Sequence, residues 1–502
     1  MSQFTLGSLM RKNAVQYPHN QVFVSENVSY TYQEANAEVN RIVYWMEDKG
    51  VQRGDRVAIL MDNGVSYGLF VFAIAKLGAI FVPINIRLHN REIDYILNDC
   101  APKLMITNEN LYPIAKTSAN SCEVPLYQDK DILDDLKGFA SDEPDLEVVT
   151  SDIYTIKYTS GTTGFPKGCI ATHQNWLWNN NNIHSFIENS SEDSYLALLP
   201  LFHVAGFGAF LTHIHYGGKV VFTSGKFDEK EVYELIEREE VSTMFILEPL
   251  LSKFLYSEYY DVKKVKTIKN LLSMAGIVSS KIVTDIKNKL QCNYFGIYGS
   301  TEASSIVTAI NYKENMKNYK SYGYLLPNFE GEIDNISNNP NEEIGELLLR
   351  GPSNIQGYWN KEIETKELLK GGWLHTGDIF QRHQDGTLEM IDRKKYLIKT
   401  GGENVYPNEV ETVLREHPNI ADVAVIGIPD RTWGEAIKAF IVLAPGSKTM
   451  NSNQIKDWCR DKLTGFKIPK FYEYIDEIPR NHSGKVLKGE LQDREESTIG
   501  EG

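Results

Sequence analysis

The sequence predicts an α/β fold: a large N-terminal α/β region of several subdomains, then a small C-terminal α+β domain joined to it by a hinge. Three observations carry this. Helical and strand patterns alternate through roughly the first 390 residues, which is the mark of parallel sheets covered by helices. A basic break at Ile391-Asp392-Arg393-Lys394-Lys395 then precedes a short, self-contained set of strands and helices. At 502 residues the chain exceeds one ordinary core, so two or three are expected. The expected division is residues 1–392 and 393–502.

In chain order, the patterns predict a helix over Tyr32–Lys49, a strand Arg56–Met61, a helix near Ser66–Leu77 that stops at Gly78, and a strand Ala79–Val82. A β-branched strand follows at Ile153–Ile156. Lys219–Phe222, the helix Asp228–Glu240 and Thr243–Ile246 read as a βαβ unit. After the break come a strand Tyr396–Ile398, helix Pro407–Glu416, strands Val423–Ile428 and Ala436–Leu443, and helix Ser452–Lys462. The most apolar stretch, Leu69–Ile84, is interrupted by Lys76, Gly78 and Pro83 and is too short to span a bilayer. His213 and His215 stand two apart with no third ligand near them, so they read as strand-facing histidines rather than a metal pair.

Hydrophobic residues make up 42% and charged residues 24%, the balance of a globular protein. The formal charge of −15 argues against nucleic acid as a partner and lends no support to binding of anionic membranes. The five cysteines are widely spaced, with no CxxC pair, which suits reduced thiols and a cytoplasmic setting. Met1–Asn13 lacks the apolar core of a signal segment.

Chemistry concentrates in a few segments. Tyr158 to Gly168 packs four Ser/Thr hydroxyls, three glycines and Lys167 into eleven residues. Glycines let N–H groups turn toward an anion, hydroxyls add donors and the lysine adds charge, so Thr159, Ser160, Gly161, Thr162, Thr163, Gly164 and Lys167 read as a polyphosphate-binding loop. The spacing is not that of a Walker A loop. Further along stand Tyr298-Gly299-Ser300-Thr301-Glu302, His375-Thr376-Gly377-Asp378, Arg393 to Lys395, Gly401-Gly402-Glu403 and Pro479 to Lys485. An aromatic face suits a purine, a carboxylate suits Mg²⁺ beside phosphates, and a carboxylate also accepts two bonds from a cis-diol.

In this order the segments resemble the adenylate-forming superfamily of acyl-CoA synthetases, luciferases and peptide-synthetase adenylation domains. Thr159 to Gly168 match the family's phosphate loop at every fixed position, and the likeness covers nearly the whole chain. It implies an ATP-dependent, AMP-forming carboxylate–CoA ligase using ATP, Mg²⁺ and CoA. The acid would be fatty or otherwise apolar; an aryl or betaine-type acid, or loading of a carrier protein's phosphopantetheine, are the alternatives. Apolar residues such as Phe207, Phe210, Leu211 and Phe245 would suit such a pocket, though core packing explains them as well.

By the same resemblance, Tyr298 and Gly299 border adenine, Thr301 contacts the α-phosphate and Glu302 binds Mg²⁺. Asp378 takes the ribose hydroxyls and Arg393 the ribose or phosphate. His203 gates the acid, and Lys485 is the catalytic lysine that meets carboxylate and α-phosphate during adenylation. Lys395 is the hinge, although Tyr396 stands where many members carry Asp. Gly401 and Gly402 line the CoA thiol path after a domain rotation. The expected partners are these small molecules; there is no predicted transmembrane segment, and a homodimer is compatible with the sequence.

Overall fold

The computed structural model describes residues 4–159, 166–247, 250–274, 280–315, 320–336, 342–400, 403–430, 432–460, 462–480 and 486–499. The chain forms two compact units. The first combines Met1–Glu332 with Leu348–Thr376, and the second combines Ile333–Leu347 with Gly377–Gly502. Compactness and hinge motion are different criteria, so these units leave a division at 392/393 as a proposal about movement.

The first unit is built on two twisted sheets. One orders its strands 357–358, 167–172, 153–159, 80–83, 56–60, 104–107 and 126–128. Its members from 153–159 to 126–128 pair in parallel, while 167–172 and 357–358 run antiparallel at one edge. The other orders 324–325, 305–311, 293–300, 270–274, 243–245, 194–196, 219–221, 21–24 and 29–31, again parallel through its middle. The predicted βαβ unit is present as Lys219–Val221, Glu229–Arg238 and Thr243–Phe245. Helix Tyr32–Asp48 starts where the sequence dictates, because Thr31 and Glu34 close a reciprocal capping box.

Helix Val204–His215 packs on both sheets: Phe210 stacks 6.0 Å from Phe23 of strand 21–24, and Phe207 lies 5.5 Å from Phe81 of strand 80–83. Phe207, Phe210, Leu211 and Phe245 are all 0% exposed, which makes them core. The same helix corrects the reading of His213 and His215 as strand residues. A helix buried on nearly every side loses its polar stripe, so periodicity cannot tell it from a buried strand. His213 is wholly buried and its Nδ1 lies 2.8 Å from the Ala209 carbonyl, one turn back.

The second unit holds most of an antiparallel sheet ordered 330–335, 343–350, 374–382, 388–393, and a mixed sheet ordered 403–405, 398–400, 434–443, 420–430 with 471–474 parallel to 434–443. Helices Pro407–Arg415 and Ser452–Arg460 cover the mixed sheet's core. The expected strand Tyr396–Ile398 is displaced. Lys394–Tyr396 form a 3-10 turn, and the strand runs Ile398–Thr400.

Candidate active site

In the first unit, strands 153–159 and 167–172 pair antiparallel with Thr159 opposite Lys167 and Tyr158 opposite Gly168. Thr159 and Lys167 therefore stand opposite each other at the ends of these two strands, flanking the segment the sequence reads as a polyphosphate loop. The Thr159 hydroxyl donates to the Lys167 carbonyl at 3.4 Å. Ser160, Gly161, Thr162, Thr163 and Gly164 lie outside the described residues. Gly168 has a packing reason: a Cβ there would meet Ile156 Cγ2 at 2.7 Å.

Strand 293–300 carries Tyr298 and Gly299 to a tight turn, 301–304, and returns as 305–311. A bulge separates Tyr298 from Gly299, where a Cβ would fall 1.9 Å from the Ser305 carbonyl oxygen. Ser304 and Ser305 hold φ of +54° and +118°, so this turn stores backbone strain, as functional turns often do. Thr301 and Glu302 sit at its apex. The Tyr298 ring is 6% exposed and meets Tyr322 edge-on at 6.2 Å.

One short segment, 355–359, ties both motif regions together. The Ile355 N–H donates to the Glu302 carbonyl (2.9 Å), Gln356 N–H to Ile170 (2.9 Å) and Trp359 N–H to Gly168 (2.7 Å). Its Tyr358 hydroxyl donates to Glu302 Oε1 at 3.1 Å, and Lys167 Nζ lies 5.1 Å from the Tyr358 ring centre. Burial and the negative charge of Glu302 both push the Tyr358 phenol up, so it stays a donor. Sequence reasoning missed Tyr358; its signal was a Gly-Tyr-Trp triplet with no motif spacing of its own.

His203 stands immediately before helix Val204–His215, and its carbonyl accepts the Phe207 N–H at 3.0 Å. His203 is accessible to water. Crowding protein atoms desolvate it, and Lys157 and Arg87 add positive potential, which together lower its pKa to about 4. The imidazole is therefore neutral at neutral pH. Lys157, on strand 153–159, donates from Nζ to the carbonyls of Leu201 (3.2 Å) and Phe202 (3.3 Å).

In the second unit, Asp378 and Arg393 face each other across strands 374–382 and 388–393, and Arg393 Nε lies 3.1 Å from Asp378 Oδ1. Asp378 is 1% exposed. Gly377, at φ +69°, turns its N–H to Glu346 Oε1 (2.9 Å), and Glu346 Oε2 pairs with Lys394 (2.6 Å). Glu346 thereby fixes the turn that presents Asp378. Lys395 sits in the 3-10 turn with its Nζ 4.3 Å from the Tyr396 ring centre.

Gly401, Gly402 and Lys485 lie outside the described residues. The residues flanking 481–485 are clamped, however. Arg480 pairs with Asp422 (2.6 Å), Asp422 lies 3.9 Å from Arg415, Arg415 pairs with Glu411 (3.0 Å), and Glu411 pairs with Lys488 (2.8 Å). An antiparallel bridge joins Arg480 to Val486.

Mg²⁺ suits Glu302. The carboxylate is half-buried, one oxygen is engaged by Tyr358, and the other takes no bond among the described residues. Mg²⁺ is commonly held by one or two carboxylates plus phosphate oxygens and water, so a single well-held carboxylate fits it. Among the described residues no cluster of three or more His, Cys, Asp or Glu side chains could hold an ion without such help. No helix is long and apolar enough to cross a membrane among them.

Known proteins match this arrangement along the chain. The AMP-binding enzyme family matches residues 10–359, and the AMP-binding enzyme C-terminal domain matches 409–485. A feruloyl-CoA synthase of Amycolatopsis sp. is 33% identical over 97% of this chain and 99% of its own. The fatty acid–[acyl-carrier-protein] ligase ScoC of Streptomyces coeruleorubidus is 30% identical over 95% and 94%. The o-succinylbenzoate CoA synthetase of Bacillus subtilis, solved with its acyl-adenylate intermediate, superposes with a TM-score of 0.86 at 28% identity, covering 96% of this chain and 97% of that one. The chain belongs to the AMP-binding enzyme family and is an AMP-forming acid–thiol ligase, whose reaction uses ATP, Mg²⁺ and CoA.

Proposed function

We propose that this chain joins an apolar carboxylic acid to CoA in two steps. The acid's carboxylate attacks the α-phosphorus of ATP and pyrophosphate leaves. The CoA thiol then attacks the acyl carbon and AMP leaves. The observation that carries the reading is the Tyr358 bridge, which holds the Glu302 carboxylate beside the shoulder of the phosphate loop that bears Lys167.

In this reading Thr159, Lys167 and the loop between them take the β- and γ-phosphates. Tyr298 and Gly299 border adenine, Thr301 meets the α-phosphate, and Asp378 with Arg393 takes the ribose. Glu302 would hold Mg²⁺, which when bound neutralises phosphate charge. His203 borders the acid as a neutral hydrogen-bonding ring. Lys485 supplies a mobile cation for the charge that develops at phosphorus. Lys395 is the hinge about which residues 393–502 turn between the half-reactions, bringing Gly401 and Gly402 to the thiol. The five unpaired cysteines, four of them buried, favour a reducing compartment such as the cytoplasm.

An apolar acid is supported by the likeness to a feruloyl-CoA synthase and to the fatty acid ligase ScoC. A second reading, transfer to a carrier-protein thiol, is favoured by the likeness to ScoC. AMP release would be measured across fatty, aryl and betaine-type acids, with and without CoA. CoA-stimulated release with an apolar class is the expected result. Pyrophosphate formation that CoA does not stimulate would replace CoA with a carrier protein.

A further inference from the structure

Three lysines are buried among the described residues: Lys76, Lys157 and Lys488. Two of them face an acid. Lys76 meets Glu143 at 3.1 Å together with Asn36 and Asn40, and Lys488 meets Glu411 at 2.8 Å. Lys157, 3% exposed, has no carboxylate partner among the described residues. Its two acceptors are neutral carbonyls, and its nearest further neighbour is the Phe207 ring, 4.0 Å from Nζ to centroid.

An isolated buried ammonium is costly, and dipoles and a ring face offset only part of that cost. A carbon chain would fill the same space without it. The position matters more than the burial. The two carbonyls belong to the residues immediately before His203, and the charge on Lys157 acts on the His203 ring itself. The proposed reaction also brings one anion, the acid's carboxylate, up to another, the triphosphate. A lysine beside the approach of the first anion, charged as that anion arrives, lowers that repulsion.

We propose that Lys157 is a positioning residue of the acid subsite: it clamps the 201–203 turn that presents His203 and holds its ammonium for the carboxylate of the acid substrate. This rests on the reading of His203 as the border of that subsite. Burial alone pushes the Lys157 amine well below the ordinary lysine range, and an arriving carboxylate would restore its charge. Acid binding and the charge on Lys157 are then coupled. The substrate class that follows is an anionic acid on an apolar body, with the uncharged amide of the same body discriminated against.

The test uses the full chain, the acid giving the fastest AMP release in the panel, and its primary carboxamide as a competitive ligand. In Lys157→Met the KM for the acid should rise about tenfold or more, while the KM for ATP stays within about twofold. The wild type should bind the acid about tenfold or more in preference to the amide, and Lys157→Met should lose most of that preference. Lys157→Arg should recover part of it. A clamp without a charge role would weaken acid and amide alike. An unchanged acid-to-amide ratio in folded Lys157→Met, or in Lys157→Gln should the Met variant not fold, overturns the proposal and leaves the ligase reading intact. No AMP release by the wild type with any acid overturns both.

Discussion

Two regions, one in each unit, treat charge in opposite ways. In the second, charges form a ladder, Arg480–Asp422–Arg415–Glu411–Lys488, in which each group faces its opposite and the Glu411–Lys488 end is buried. In the first, Lys157 is left to carbonyls and a ring, and the Glu302 carboxylate has one oxygen committed to a phenol. The Glu411–Lys488 pair is complete and serves as scaffold. A charge left without its opposite is tolerated where a ligand of opposite sign completes it. On the proposed reading, the difference between these two regions separates scaffold from substrate site.

The largest expected effect tests the working side of the second unit. Lys485→Ala should slow adenylation by about 100-fold or more while leaving pre-formed acyl-AMP able to react with CoA. Equal loss of both half-reactions in single-turnover assays would make Lys485 part of the scaffold and blur the contrast. Next comes the scaffold itself. Lys488→Met leaves the buried Glu411 with Arg415 as its remaining ion-pair partner and should cost about 3 kcal/mol in denaturant unfolding. Pairing it with Glu411→Gln should recover part of that loss.

Lys157→Met should by contrast change stability by no more than about 1 kcal/mol, because it removes an uncompensated charge along with its two carbonyl bonds. A loss as large as that of Lys488→Met would break the comparison outright. Titration of His213 offers a milder check on the first unit. Burial lowers its pKa from 6.5 to about 4. Since the folded value is the lower one, the unfolded chain binds the proton more readily. Stability is full above 6.5 and falls as pH drops from there toward about 4. His213→Gln should flatten the unfolding free energy across that window. The smallest effect is at the site itself: Tyr358→Phe should raise the KM for Mg-ATP about fivefold, the worth of one hydrogen bond that holds a carboxylate in place.

Much of the chemistry was legible in sequence because it depends on residue type at fixed spacing. The Thr159-to-Gly168 segment, the Tyr298-to-Glu302 turn and the Asp378 segment could all be singled out as candidates without coordinates. Helix Tyr32–Asp48 was legible through its capping residues, and the helix ending at Gly78 through a glycine at φ +74°. Helix Val204–His215 was not, since a segment apolar on every side carries no period. Tyr358 was not, since its importance lies in reaching Glu302, 56 residues away in the chain. Lys157 sat in plain view one residue before the loop, and nothing local marks a lysine as buried.

The sequence by itself determined the family and the reaction type and named the residue types proposed to meet ATP, because phosphate, purine and cis-diol each demand particular donors and acceptors at close spacing. Only the tertiary structure decided which charges are finished and which are left open. That depends on partners brought from distant segments, as Glu411 is to Lys488 and as no acid among the described residues is to Lys157. The energy of a buried charge is set by what surrounds it in space, and chain order carries no record of that.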